Sequence, residues 1–285
     1  MGNIEVLHPG LYSSLQDLGR YNFLKYGVPQ SGAMDSFAAK KANLILSNSE
    51  DSPVLEITQL GPKLKFYGPT QLAICGAYLN PKINETVVLN NRILFLEDGD
   101  VLSFGKRVIG CRAYIAIVGG FVSEKVLGSF SWYNGITESE FLKKGSIIKY
   151  SNSDRSLNNL NASVKVGEEY LKENVIKVYP GPEYGLLSSI QKRLLVEFNF
   201  SLDKNNNRMA IQLKEDLENN LNAIITGPVL PGTVQLTPSG KLIVLMRDCQ
   251  TTGGYPRVLQ LSENAINTIA QKVIDDQILF ELIEI

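Results

Sequence analysis

The sequence predicts a mainly β fold, β-barrels with a few helices, and three observations carry that prediction. Short runs of β-branched and aromatic residues recur along the chain, each closed by Gly, Pro, Asn or Asp, the patterning of strands and turns. Few segments show the 3.6-residue period of a helix. A tract rich in Ser and Asn, "SNSDRSLNNLNASVKVGEEYLKEN", separates two strand-bearing halves. With 285 residues the chain has room for about two domains. The expected division is a first domain over 1–150, a linker over 151–174 and a second domain over 175–285.

In chain order, "DSFAAKKANLIL" reads as a helix over 35–46, with Asp35 as its N-cap and a stop before Ser47-Asn48. "PVLEITQLG", "KLKFYG", "TQLAICGA", "TVVLNN", "RILFLEDGDVLSFG" and "CRAYIAIVGG" follow as strands. Within them "EDGD" at 97–100 predicts a hairpin between "ILFL" and "VLSF", because Gly tolerates positive φ. After the linker come the strands "NVIKVYPG", "LVEFNFSL", "RMAIQL", "GTVQL", "KLIVLM" and "QILFELIEI", with "TPSG" at 237–240 as a turn. The last run reads equally as a core strand or an interface. Two helices complete the second half. One covers 183–195, with Leu186, Leu187, Ile190 and Leu194 on its inner face. The other covers 262–273, capped by Ser262, with Ile266, Ile269, Ala270 and Val273 inward.

Composition excludes several function classes. Basic and acidic residues nearly balance, for a formal charge of −1, and no basic stripe exists, so nucleic acid and anionic membrane are not expected partners. Cys75, Cys111 and Cys249 are far apart and odd in number, which reads as free thiols in a reducing compartment. The N-terminus lacks the basic-then-apolar order of a signal peptide, and "YIAIVGGFV" is too short to span a bilayer. A cytoplasmic protein is expected. His8 is the single histidine, so neither a His-rich metal site nor a histidine-based nucleophile unit is expected. No G-x-x-x-x-G-K-[ST] occurs and no Lys follows a Met, so neither a P-loop nor a biotin-accepting lysine is read.

Four segments carry more polar groups than their turns need. In "SLQDLGRY", Gln16 and Asp17 offer acceptors and Arg20 a planar fork for a carboxylate or phosphate, or simply a local Asp–Arg pair at the Gly19 bend. In "GVPQSGAMD", a turn containing Gly32 leads to Asp35, more readily a helix cap than a catalytic acid. Arg208, after "NNN", reads as a solvated residue on a strand edge. In "RDCQTTGGYP", Asp248, Gln250, Thr251 and Thr252 precede Gly253-Gly254, where the backbone can approach a ligand closely. That density exceeds what a hairpin requires and favours a site.

Taken together, "QDLGR", "GVPQSGAMD…AN", "LEITQLGPKLKF", "DGDVLSFG…GCRAYIAIVGG", "RM" and "DCQTTGGYP" make the chain resemble one family over nearly its whole length. This is the biotin-dependent carboxyltransferase-like family, which includes the C subunit of bacterial 5-oxoprolinase (KipA-like, the second subunit of allophanate hydrolase) and is similar to the carboxyltransferase domain of urea carboxylase. The resemblance implies two cyclophilin-like β-barrel domains. It implies a cytoplasmic hetero-oligomer in which the C subunit works with a KipI-like B subunit and with an A subunit. Together they would hydrolyse 5-oxo-L-proline to L-glutamate at the expense of ATP. ATP is thus a cofactor implied by the family, and no covalent biotin is expected on this chain. The implied site takes Asp17, Arg20, Asp35, Arg208 and Asp248 as catalytic residues, with an aspartate as general base and the arginines as anion clamps. Gln16, Gly32, Gln250, Thr251, Thr252, Gly253 and Gly254 would bind a small-molecule amide.

The chain departs from the family pattern at Gly128-Ser129-Phe130-Ser131-Trp132, where G-S-R-S-T is usual, and at Ser139-Glu140, where Gly-Arg is common. Both changes remove positive charge. Two further readings therefore stand beside the hydrolase. One is a regulatory protein that sequesters a partner resembling the B subunit, a kinase-inhibitor-like protein. The other is a carboxyltransferase component acting on urea or a related amide.

Overall fold

A computed structural model of the chain describes residues 1–151 and 167–284. The chain divides into two compact units, Met1–Arg20 with Asp35–Lys172, and Tyr21–Met34 with Glu173–Ile285. Of the expected linker, 151–174, residues 152–166 lie outside the described residues, and the change of unit falls between Lys172 and Glu173. Nothing in the local sequence signals that residues 21–34 leave the first unit to join the second. Met34 is fully buried in the second unit's core, and the Ser31 amide donates to the Arg247 carbonyl at 2.9 Å.

The first unit holds two sheets around one core. The larger sheet runs in the order Phe121–Val122, Ile147–Tyr150, Gly2–His8, Lys63–Tyr67, Val101–Phe104, Pro81–Ile83, Thr86–Val87. The smaller runs Tyr12–Gln16, Val54–Thr58, Ile109–Ile117, Thr70–Tyr78, Ile93–Leu96. Ile4, Phe66 and Leu102 from the first sheet and Leu15, Ile57, Leu72 and Ile115 from the second share one apolar cluster, as the alternation of a strand buried on one face dictates. The "EDGD" segment is a turn but not a hairpin. Ile93–Leu96 pairs with Thr70–Tyr78, whereas Val101–Phe104 pairs with Lys63–Tyr67 and Pro81–Ile83 in the other sheet. Gly99, at φ 89°, lets the chain turn a corner between sheets.

Helix α1, Ser36–Ile45, lies on the smaller sheet against Thr70–Tyr78 and Ile109–Ile117. Its start is set as the sequence predicts: the Asp35 carboxylate accepts from the Ala38 amide at 3.0 Å.

The second unit is a closed barrel in the order Val175–Pro180, Arg257–Leu261, Thr233–Leu236, Lys241–Leu245, Ala210–Asp216, Phe200–Asn206, Gln277–Leu282. The C-terminal run is a core strand. It closes the barrel by pairing in parallel with Val175–Pro180 and antiparallel with Phe200–Asn206, with Ile278 and Phe280 buried. A separate short pair, Gly227–Pro228 with Thr252–Gly253, stands outside the barrel.

In place of one helix over 183–195 stand a 3₁₀ turn, Tyr184–Leu186, an extended break at Leu187, and helix α2, Ser189–Glu197. The Ser188–Gln191 capping box fixes where α2 starts and hence its rotation. That rotation brings Leu195 inward. Leu186, Ile190 and Leu194, assigned to the inner face by their spacing, are 62, 64 and 41% exposed. Helix α3, Glu263–Ile269, starts as predicted, capped by Ser262 with Ile266, Ile269 and Ala270 buried, but ends at Ile269, short of the expected 273. Among the described residues no helix is long and apolar enough to cross a membrane.

Candidate functional site

The residues singled out by sequence fall in both units. Gln16, Asp17, Arg20 and Asp35 belong to the first, and Gly32, Arg208, Asp248 and Gln250 through Gly254 to the second.

In the first unit, Tyr12–Gln16 is an edge strand that ends in Asp17, and Gly19, at φ 107°, turns the chain back to Arg20. All three polar side chains of this motif grip one loop, 126–132. The Asp17 carboxylate accepts from the hydroxyls of Ser129 and Ser131 and from the Phe130 amide, each at 2.7 Å, and from the Gly19 amide at 2.8 Å. Arg20 donates to the carbonyls of Val126 at 3.2 Å and Ser131 at 2.8 Å, and Gln16 to that of Trp132 at 3.2 Å. Arg20 is 1% exposed, so its charge is directed at loop carbonyls and not at solvent. Sequence reasoning does not find Ser129 and Ser131 as partners, because nothing in their position announces a contact with residues more than a hundred positions away.

Asp35 is fully buried and does more than cap α1. Its other oxygen accepts from the Tyr170 hydroxyl at 2.7 Å, and its own amide donates to the Tyr114 hydroxyl at 2.8 Å. Burial, reinforced by the Asp35 charge, pushes the Tyr170 phenol far above its ordinary value, which keeps it a donor to that carboxylate. Burial, with Glu56 and Asp35 nearby, raises Tyr114 likewise. Strand register sets Ser14, Glu56, Tyr114 and Cys75 side by side across the smaller sheet. Glu56, fully buried, is absent from the sequence-derived candidates. Its signal is a carboxylate inside the otherwise apolar run "PVLEI".

In the second unit, the strand Lys241–Leu245 runs on into Met246, Arg247 and Asp248. Arg208 is not a solvated edge residue: it is 7% exposed and forms a two-pronged pair with Asp248, Nε to Oδ2 at 2.7 Å and Nη2 to Oδ1 at 3.1 Å. Nη2 also donates to the Gly32 carbonyl at 2.7 Å, tying the inserted segment 21–34 to the barrel. The backbone aligns the pair, since the Asp248 amide donates to the Arg208 carbonyl at 2.9 Å. Next to it, Arg247 pairs with Glu263 at the start of α3. Arg247 Nε and the hydroxyl of Ser31, whose φ is 55°, are buried without a hydrogen-bond partner.

Past Asp248 the segment surfaces. Gln250 and Thr252 are exposed, and Thr251, Gly253 and Gly254 half-buried. The Gln250 amide reaches the Gln235 side-chain oxygen at 3.4 Å, and the Val229 amide donates to the Thr251 carbonyl at 3.1 Å. At Gly253 a Cβ would sit 2.4 Å from the Gln235 amide nitrogen and 3.3 Å from a Val229 methyl, so a side chain fits there only if Gln235 moves. Gln235, itself 2% exposed, is not found by sequence reasoning, because a lone amide in a short strand reads as a surface residue. Below the strip, Arg257 forks onto Glu183 at 2.9 and 2.8 Å and holds that carboxyl below the usual glutamate range. The segment 250–254 is therefore a partly exposed strip of amide, hydroxyl and backbone groups that follows the buried Arg208–Asp248 pair. Such a strip can orient a small polar ligand.

The family model described as the carboxyltransferase domain, subdomains A and B, matches residues 26–282. The chain is 30% identical over 274 residues to the C subunit of 5-oxoprolinase from Escherichia coli, covering 94% of this chain and 87% of that protein. To the "Urea amidolyase" of Lachancea kluyveri it is 39% identical over 130 residues, 45% of this chain and 7% of that protein. Among solved structures, the K. lactis urea amidolyase superposes with a TM-score of 0.86 at 27% identity, covering 99% of this chain and 19% of that one.

Proposed function

This chain belongs to the carboxyltransferase family of subdomains A and B, and from that premise we propose that it serves as the C subunit of an ATP-dependent 5-oxoprolinase. In this reading it acts with the A and B subunits to hydrolyse 5-oxo-L-proline to L-glutamate. The observation that carries the proposal is the end-to-end similarity to a 5-oxoprolinase C subunit, with 94% of one chain matched to 87% of the other.

A lactam resists hydrolysis because amide resonance keeps its carbon unreactive, so the oxygen must be activated and the ring held still while water attacks. The strip Gln250–Gly254 supports the holding role, offering Gln250 and the Thr251 and Thr252 hydroxyls to a ring amide. Asp248, with both oxygens on Arg208, fixes the base of that strip. Asp17 and Asp35, the other general-base candidates, are likewise engaged by hydrogen bonds. The part proposed for this chain is therefore to bind and orient, with water activation falling to the assembled complex. ATP enters through the need to activate the lactam oxygen.

Carboxyl transfer to urea or a related amide is the second reading, favoured by the 39% identity to a urea amidolyase over part of the chain. The test is to co-purify this chain with its candidate A and B subunits and measure ADP and glutamate released from 5-oxoproline and ATP, omitting each component in turn. Turnover that needs all three supports the proposal. A stable complex that releases neither product, yet carboxylates urea when given a carboxybiotin carrier, moves the second reading ahead.

A further inference from the structure

We propose that Gln16, Asp17 and Arg20 are positioning residues, which act on the reaction only by holding loop 126–132 in one strained, preorganised conformation. The inference rests on the proposed function for its kinetic arm alone. Three side chains of different chemistry, all buried, converge on the same seven-residue stretch. The carboxylate takes the loop's hydroxyls and an amide, the guanidinium takes two of its carbonyls, and the carboxamide takes a third. The backbone joins in, with the Trp132 amide donating to the Leu15 carbonyl at 2.9 Å and the Asp17 amide to the Ser131 hydroxyl at 3.1 Å.

What is held is costly to hold. Val126 and Ser129 bridge to each other, and the chain reverses through Leu127 at φ 51° and Gly128 at φ 81°. Glycine adopts that region freely. A branched leucine does so only where its surroundings over-determine the backbone. The same turn leaves Leu127 39% exposed, while Lys125 stands over the half-buried Phe130 ring at 5.2 Å. A strained turn that displays an apolar side chain beside a cation-capped ring, fixed from behind by buried polar groups, has the construction of a preorganised contact loop.

The same geometry argues against direct chemistry by these residues. As a general base, Asp17 would have to give up bonds from Ser129, Ser131 or Phe130 to take a proton. As an anion clamp, Arg20 would have to leave the loop carbonyls and reach solvent from a fully buried position. Both actions dismantle the loop.

The experiment compares Asp17→Asn, the pair Ser129→Ala with Ser131→Ala, and the triple variant, all as full chains. Asp17→Asn keeps the shape but turns one acceptor oxygen into a donor inside the network, and the serine pair removes the two hydroxyls that Oδ1 accepts. Trypsin cleavage after the exposed Lys125, under native conditions, reports loop opening without any substrate, and the thermal transition reports global stability. Asp17→Asn and the serine pair should each speed that cleavage about tenfold, with the triple variant no faster than about twofold beyond either, because both changes act on one carboxylate–loop network. In the three-component complex, both should lower kcat/KM by a similar factor and leave the acid limb of the pH profile in place. The proposal is overturned if cleavage after Lys125 is unchanged in both. It is also overturned if Asp17→Asn alone costs about a hundredfold or more in kcat and removes the acid limb while the serine pair stays near wild type, the signature of a general base. A complex with no 5-oxoprolinase turnover would refute the function proposed above, and the cleavage measurements would still decide this one.

Discussion

The buried Arg208–Asp248 pair makes the sharpest prediction about the second unit. Their side chains are 7 and 8% exposed and meet at 2.7 Å. At an effective dielectric constant of about 20, charges about 4 Å apart attract by roughly 4 kcal/mol, and removing both ions from water consumes most of that gain. The asymmetry matters more than the sum. Asp248→Leu takes the two-pronged carboxylate away from a buried guanidinium and should cost about 3–5 kcal/mol. Arg208→Met strands the carboxylate and should cost a similar amount. The double variant replaces the pair by apolar groups of comparable size, so it should be more stable than either single variant. The assay is native-state amide exchange at Ile211 and Val244, neighbours across paired barrel strands and both buried, because the single tryptophan, Trp132, packs in the first unit's core and cannot report on the second. If each single variant costs under about 1 kcal/mol, or if the double variant loses the sum of the two, the pair is not the coupled unit described here.

The two glycines of the exposed strip should differ. Gly253→Ala forces Gln235 aside and should cost about 1–3 kcal/mol, whereas at Gly254 the nearest atoms to an added Cβ are 3.7 Å away and Ala should be tolerated; urea titration of both variants decides it. Glu183 titrates below its ordinary range because of the Arg257 fork, so its contribution is full at neutral pH and is lost as pH falls through the depressed value. Glu183→Gln should therefore flatten the acid limb of stability against pH, and an unchanged limb would contradict the linkage. Burial pushes the thiols of Cys75 and Cys249 up to about 12, so both should resist alkylation at pH 8 in the folded protein and react once it is denatured. On α2, Ile190→Ser and Leu194→Ser should change stability by no more than about 0.5 kcal/mol, while Leu195→Ala should cost about 2–5 kcal/mol in the same denaturant assay.

The sequence by itself determined those features that rest on local physics. A capping aspartate or serine needs only the amides three residues on, so the starts of α1 and α3 were legible. Alternating burial and turn chemistry need only neighbouring residues, so many of the strands, the mainly β class and the turn at 237–240 were legible too, though Gly2–His8, Ile147–Tyr150 and Arg257–Leu261 were not read as strands. The motif "QTTGG" stood out because its polar density exceeds what any local turn uses. Tertiary structure decided everything that depends on partners distant in sequence. "EDGD" has the chemistry of a hairpin, but strand pairing sent its two flanks into different sheets. On α2 the capping box and a break at Leu187 outweighed an apolar stripe, because helix rotation is set by where the helix starts. Arg208 looked like a surface charge until the fold placed Asp248 against it. Asp17 and Arg20 looked like a base and a clamp until their hydrogen bonds were found on a loop more than a hundred residues away. A side chain's type fixes what it can donate or accept; only the folded chain fixes which groups remain to receive it.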